Sequence, residues 1–267
     1  MSRYLGILMI ALLTACASSP LGRKQLTLIP SGQMNQMGIQ SFEQMKQKQP
    51  IERSPAINQY IRCIVNPLIE ASQGQSGVAS WEVVVFQDST PNAFALPGGK
   101  IGVHTGMLSV AKNDAQLAAV LGHEVGHVMA NHGNERVSQG LLAQGGLMVA
   151  DLLSGSASPE RKQILMAGIG LGAQYGVLLP FSRSHESEAD LIGLDLMSRA
   201  GFDPRQSVEL WKNMAAASSG RSPPEFMSTH PANETRIQNL SQNLPANLQK
   251  YEQAQRAGLR PKCGLTR

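Results

Sequence analysis

Aromatic side chains are scarce in this 267-residue sequence: six Phe, four Tyr and two Trp make up 4% of it, while Gly (26) and Met (12) are plentiful. That balance predicts a helical interior in which small residues let helices approach closely. Charge of one sign is nowhere concentrated. Lys and Arg number 23 against 19 Asp and Glu, a formal charge of +4, and no window forms the basic patch that a nucleic-acid partner requires. No repeat with a period of about 20–50 residues is visible, which excludes a solenoid or propeller. Apolar residues nonetheless reach 42% and charged ones only 16%, which excludes a disordered chain and fits one globular domain.

Cysteine is also short, with three in the chain. The first, Cys16, follows Arg3, an apolar stretch Leu5–Leu13, and Thr14-Ala15. That stretch is too short to cross a hydrocarbon core of about 30 Å as a helix, so residues 1–15 read as a signal peptide. Leu13-Thr14-Ala15-Cys16 resembles a bacterial lipobox, in which the Cys is acylated and becomes the first residue of the mature protein. On this reading residues 16–33 are a lipidated N-terminus and tether, Cys16 anchors the protein to a membrane, and 34–267 form a single domain. By resemblance to Gram-negative lipoproteins, Ala17 after the Cys directs the protein to the outer membrane, facing the periplasm. Cys63 and Cys263 are then left in an oxidising compartment, where a disulfide is the natural pairing.

Met34 to Ile69 has helical spacing broken by Pro50 and Pro55. Trp81–Phe86 (WEVVVF) reads as a buried strand, and residues 92–96 and 100–105 flank Pro97-Gly98-Gly99 as a hairpin. A helix starts at Asp114, capped by Asn113 or Asp114, with Leu117, Val120, Leu121, Val125 and Val128 at apolar positions. Residues 140–181 are Gly-rich and end in an uncharged run, Ile164–Phe181. Gln174, Pro180 and the charged turn at Glu160-Arg161-Lys162 favour a helical hairpin folded on the domain over a membrane span.

The chemistry-bearing residues begin at His123-Glu124-Val125-Gly126-His127. Positions 123 and 127 lie on one helix face, so two imidazoles can hold one Zn2+ while Glu124, beside them, can take a proton from a water activated by the ion. Two His and a Glu in so apolar a helix are costly to bury without such a partner. A third ligand is offered by Glu186-Ser187-Glu188-Ala189-Asp190. Glu186 and Asp190 share one face, Glu188 another, and by geometry alone Glu186, Glu188 and His185 all compete for the metal.

Four segments, NAFALPGGKIGVHTGML (92–108), LAAVLGHEVGHVMANH (117–132), SRSHESEADLIGLDLMSRAGFDP (182–204) and STHPANETRI (228–237), together resemble the zinc metallopeptidase family of HtpX, the CAAX prenyl proteases, mitochondrial Oma-type proteases and BepA-like periplasmic proteases. The resemblance covers roughly residues 81–237. It implies an α+β, mainly helical, zincin-like (gluzincin) domain with a small β-sheet, and one Zn2+ per chain held by His123, His127 and Glu186. Glu124 would be the general base, Asp190 an orienting group or proton donor, and His230 a weak fourth ligand at rest or an oxyanion donor. Arg236 and Arg183 would be active-site or structural arginines; His104 and His132 have no ligand partner at a suitable spacing. Related enzymes bind substrate as an added strand, which gives Asn92, Ala93 and Phe94 the part of a receiving edge. The sequence has no multi-span membrane core and no helical repeat after Ile237, so neither a prenylated substrate nor a BepA-like partner domain is expected.

The expected function is a metalloendopeptidase of the bacterial envelope acting on misfolded or misassembled polypeptides, with envelope assembly machinery as a further partner. The alternative is an assembly factor or chaperone with little proteolysis.

Overall fold

Prolines and capping side chains divide the chain at the expected places. The computed structural model describes residues 16–72, 74–143, 158, 182–218, 225–230 and 234–264. Residues 1–15, read above as a signal peptide, and nearly all of the Gly-rich 140–181 stretch, read as a helical hairpin, lie outside the described residues. Helix α1 (Ser31–Lys48) and α2 (Pro55–Ser72) flank the Pro50–Pro55 break, with Pro55 at a helix start, where its missing N–H costs nothing. A short α3 (Met107–Val110) precedes α4 (Asp114–Met129), whose N-terminus is capped by the Asn113 side chain accepting from Gln116 N–H. After α5 (His132–Ala143), Ser182 caps α6 (Arg183–Arg199) by accepting from His185 N–H. Then come α7 (Arg205–Ser218), α8 (Glu225–Thr229) and α9 (Glu234–Arg256).

The described part is mainly helical with two small sheets, the α+β architecture expected. Strands β1 (Cys16–Ser18) and β2 (Lys24–Leu26) pair antiparallel. In the second sheet β5 (Lys100–His104) is central, parallel to β3 (Glu82–Phe86) and antiparallel to β4 (Ala93–Leu96). The β4–β5 turn needs its glycines, because Gly98 and Gly99 sit at φ +81° and +73°. One sheet face, with Val85, Ala93, Ile101 and Val103, packs into the main core; Phe86 and Leu96 on the other meet Phe42 and Met45 of α1.

The core is organised around the crossing of α4 with α6. Gly122 and Gly126 of α4 meet Ala189 and Gly193 of α6, each pair at i, i+4, so the two backbones nearly touch. A Cβ on Gly193 would lie 2.7 Å from His123 N, and one on Gly126 would lie 2.9 Å from Ala189 O. Around this contact Leu117, Leu121, Val125, Leu194 and Leu196 are buried. Cys63 of α2 and Cys263 form a disulfide with Cα atoms 5.6 Å apart. Its C-terminal side is further held by Cys263 N–H donating to Asp114 Oδ2 at 3.1 Å.

The segment expected as a loose tether is instead packed on the domain. Ser19, Gln25 and Ile29 are buried; Leu28 N–H donates to Ser138 Oγ at 2.8 Å, and Asn134 Nδ2 donates to Ile29 O at 2.7 Å. Its backbone polar groups find partners on α5, which composition alone does not reveal. Among the described residues no helix is long and apolar enough to cross a membrane.

Gly193→Ala forces α4 and α6 apart. It is expected to lower stability by about 1–3 kcal/mol in denaturant unfolding and to weaken metal uptake in the same preparation; an unchanged midpoint would refute the close crossing.

Candidate metal centre

The α4–α6 crossing places Glu186, in the first turn of α6, over the face of α4 that carries His123 and His127. His230, just past α8, closes the group, and His123, His127, Glu186 and His230 offer ligand atoms within 4.8 Å of one another, all buried. His123 Nε2 is 3.0 Å from His127 Nε2 and 3.2 Å from His230 Nδ1. Glu186 Oε1 is 3.0 Å from His230 Nδ1 and 3.4 Å from His127 Nε2, while Oε2 is 3.5 Å from His123 Nε2. Ligand atoms about 2.0–2.1 Å from a tetrahedral centre stand roughly 3.3–3.4 Å apart. Four of the six edges of the His123, His127, Glu186 Oε1 and His230 group, at 3.0–3.4 Å, are close to those of such a tetrahedron.

Proton accounting points the same way. His123 Nδ1 is 3.0 Å from Asp190 Oδ1, and His127 Nδ1 is 2.9 Å from His132 Nδ1. If both Nδ1 atoms carry the protons and donate outward, the two Nε2 lone pairs face each other, an arrangement that a cation between them reconciles. Of the three candidates for third ligand, Glu186 is in the cluster. Glu188 and His185 lie behind it, bonded to other groups.

The electrostatics are asymmetric. Burial pushes His127 well below its usual value. Burial also acts to lower His123, but Asp190 and Glu186 outweigh it and raise the imidazole to about 9. Burial would raise Glu186, yet His230 and the other imidazoles hold it well below the usual carboxylate range. Glu124, fully buried, is pushed up by desolvation, with Ala95 N–H among the groups acting against that. Its Oε1 is 3.6 Å from His230 Nε2, so it borders the cluster without joining it.

Asp190 receives a two-pronged contact from Arg236, Nε to Oδ2 at 2.6 Å and Nη2 to Oδ1 at 2.7 Å. Burial would raise this carboxyl, but Arg236 overrides it and keeps it low. Asp190 is thus ionised and orients His123, and it has no proton to donate. Arg236 also reaches Glu186 Oε2 at 2.7 Å and lies over the Trp211 ring, 3.7 Å from its centroid. Trp211 stacks on Phe226, which stacks on His230 with ring centroids 4.6 Å apart. Arg183 is exposed at the start of α6 and takes no part.

The expected substrate edge needs adjustment. β4 is an outer strand, and His104 N–H donates to Asn92 O at 2.9 Å. By antiparallel alternation the main chains of Asn92, Phe94 and Leu96 pair with β5, while those of Ala93 and Ala95 point away from it; Ala93 is buried, and the Ala95 N–H faces the Glu124 carboxylate. The Phe94 ring covers Gly102 and packs against Phe42 and Phe86, with His104 edge-on to it. Of the three named residues only Ala93 turns its main chain away from β5, joined by Ala95. Beyond Ala95 an uncharged cavity of about 140 Å3 runs between Met34, Pro97, Val128 and Asn131.

Such a site on such a fold defines a zincin-like metallopeptidase domain. The chain belongs to peptidase family M48, which it matches over residues 55–244. It is 40% identical over 194 residues to the mitochondrial metalloendopeptidase OMA1 of Schizosaccharomyces pombe, covering 72% of this chain and 55% of that one. For the Saccharomyces cerevisiae protein of the same name the figures are 38% over 181 residues, 65% and 50%. The beta-barrel assembly-enhancing protease of Escherichia coli K12 is 31% identical over 212 residues, 77% of this chain and 42% of that one. The resemblance stated from the motifs is therefore correct, and family and relatives support a metalloendopeptidase. The chain spans about half the length of the curated relatives it matches.

The same comparison corrects the expected address on the outer membrane facing the periplasm. Relatives matched at 40% and 38% identity are mitochondrial by name. A sorting inference from one residue after a four-residue motif does not stand against similarity over most of the chain.

His132, expected to have no ligand partner at a suitable spacing, bridges His127 to Glu188, with Nε2 3.1 Å from Glu188 Oε2. Arg23, Glu135 and Arg236's bond to Asp190 were equally invisible. Only the i, i+4 spacing of Glu186 and Asp190 hinted at any of this.

Asp190→Ala removes the two-pronged partner of the buried Arg236 and is expected to cost about 3 kcal/mol in denaturant unfolding, the low end for a broken buried pair. A pH effect follows from Glu135, on which burial acts upward but Arg23 dominates, holding the carboxyl below its usual 4.5. Because the folded value is depressed, the contribution is complete above about pH 4.5 and fades as pH falls through the folded value. Limited proteolysis is expected to release the β1–β2 segment on the acid side only.

Proposed function

We propose that this chain is a zinc-dependent endopeptidase that cleaves extended or misfolded polypeptides, with His123, His127 and Glu186 as metal ligands and Glu124 as general base. The observation that carries the reading is the buried three-imidazole, one-carboxylate cluster, whose ligand atoms all lie within 4.8 Å of one another. Nitrogen-rich donors in that geometry suit zinc better than a hard oxygen-seeking cation. When bound, the ion would make a water nucleophilic at neutral pH and polarise the scissile carbonyl.

The chain's own groups supply the rest. Glu124 is buried and its carboxyl raised, which makes it a stronger proton acceptor that can later return the proton to the leaving amine. Asp190 fixes the His123 ring, and Arg236 fixes Asp190. The edge of β4 beside Glu124 is where an extended segment would pair as an added strand, displacing the contacts that now cover Ala93 and the Ala95 N–H. Such pairing reads backbone, not side chains, which suits unfolded substrates. His230, the fourth member of the cluster, would be a ligand at rest, and once displaced by substrate its ring could serve a developing oxyanion.

Glu124→Gln keeps the size of the side chain and one acceptor oxygen but loses the base. Hydrolysis of an unfolded protein such as casein is expected to fall by about 10^2–10^4-fold, with one metal per chain still bound by elemental analysis. His123→Ala is expected to lose both. A metal-free wild type that still hydrolyses, or undiminished activity in Glu124→Gln, would reject the proposal; a wild type that binds metal and hydrolyses nothing would leave the assembly-factor reading.

A further inference from the structure

The cluster behind the metal site is as elaborate as the site itself. His127 Nδ1 lies 2.9 Å from His132 Nδ1, and His132 Nε2 lies 3.1 Å from Glu188 Oε2. One assignment of protons satisfies both contacts and leaves His127 Nε2 free to ligate. His127 Nδ1–H donates to His132, and His132 Nε2–H donates to the carboxylate. Glu188 Oε2 also accepts from Arg23 Nε at 2.8 Å. The other edge of the same guanidinium makes a fork with Glu135, Nη1 to Oε1 at 2.8 Å and Nη2 to Oε2 at 2.6 Å. Glu135 Oε2 in turn receives Gln25 Nε2 at 3.0 Å and lies 3.1 Å from His185 Nε2. The His185 ring stacks on His132 with centroids 4.5 Å apart.

Arg23 sits in the β1–β2 turn, 165 positions from Glu188 and 112 from Glu135. Three donors of one planar group therefore orient two carboxylates of different helices, a geometry that Lys cannot reproduce. A carboxylate behind a ligating imidazole sets which ring nitrogen faces the metal and how the ring is aimed. Here the carboxylate acts through a second imidazole, and a residue near the start of the described chain locks it.

We propose that Arg23, Glu188 and His132 are positioning residues for His127, so that the β1–β2 hairpin is part of the metal site. The inference rests on the metal reading given above. It predicts that metal affinity depends on an arginine about 100 positions before the ligand it serves.

The test measures the affinity of the full chain for Zn2+ by competition with a chromophoric chelator, and the visible spectrum of the Co2+-loaded protein. Wild type, Arg23→Ala, Arg23→Lys, Glu188→Gln and the Arg23→Ala/Glu188→Gln double variant are compared, with metal-free melting temperatures recorded for each. Each single change is expected to weaken Zn2+ binding by about 10-fold or more at unchanged stoichiometry and to shift the Co2+ bands. Arg23→Lys should recover at most part of the loss. The double variant should be little worse than the weaker-binding single, because both act on one path. Zn2+ affinity within twofold of wild type in folded Arg23→Ala and Glu188→Gln would overturn the proposal, even if their melting temperatures fell, since that is what a merely structural contact gives. Additive losses in the double variant would also overturn it. A wild type that takes up neither Zn2+ nor Co2+ would overturn the metal reading as well, and that failure shows before any variant is compared.

Discussion

The near-contact of two helix backbones governs this molecule. HExxH supplies two imidazoles on α4, but a third ligand must come from elsewhere in the chain and arrive within a few tenths of an ångström. Gly122 and Gly126 on one helix, with Ala189 and Gly193 on the other, remove the side chains that would hold the axes apart. Glu186 then lies 3.4 Å from His127 Nε2. Placing the metal site at a glycine-lined crossing makes its geometry a property of the core, not of a loop. That is a rigid platform on which a site can be held to the tolerance that coordination demands.

Around that crossing the buried charges are arranged so that none stands alone. Asp190, Glu186 and Arg236 form one group with His123; Glu188, Glu135 and Arg23 form another behind His127. Isolated burial of any of these would cost several kcal/mol. Each imidazole is flanked on its outer nitrogen by a carboxylate, directly for His123 and through His132 for His127. The two arginines do equivalent work from opposite ends of the chain: Arg236 from α9, Arg23 from the first hairpin.

What could be read from the sequence divides along the same line. HExxH, the hairpin at Pro97-Gly98-Gly99, the Asn113 cap and the break at Pro50–Pro55 are local patterns, and local patterns survive without a structure. Glu186 was separable from Glu188 and His185 only by family resemblance, because helix periodicity places residues on faces but does not say which face meets the metal. Arg23 left no mark at all. An arginine in a Ser/Gly/Pro-containing stretch reads as solvated charge, and its partners are more than a hundred residues away. Which main-chain groups of Asn92, Ala93 and Phe94 point away from β5 was not legible either, since alternation fixes this only once a single ladder bond is known.

The bond between Cys63 and Cys263 encloses 200 positions of sequence and almost the whole of the family-matched region. A peptidase is exposed to cutting by its own copies, and most of its chain lies inside this covalent ring. One nick anywhere within the ring leaves two pieces that stay joined, with His123, His127, Glu186 and His230 all still on the same molecule. Self-cleavage would therefore be silent on a non-reducing gel and visible only once the thiols are freed.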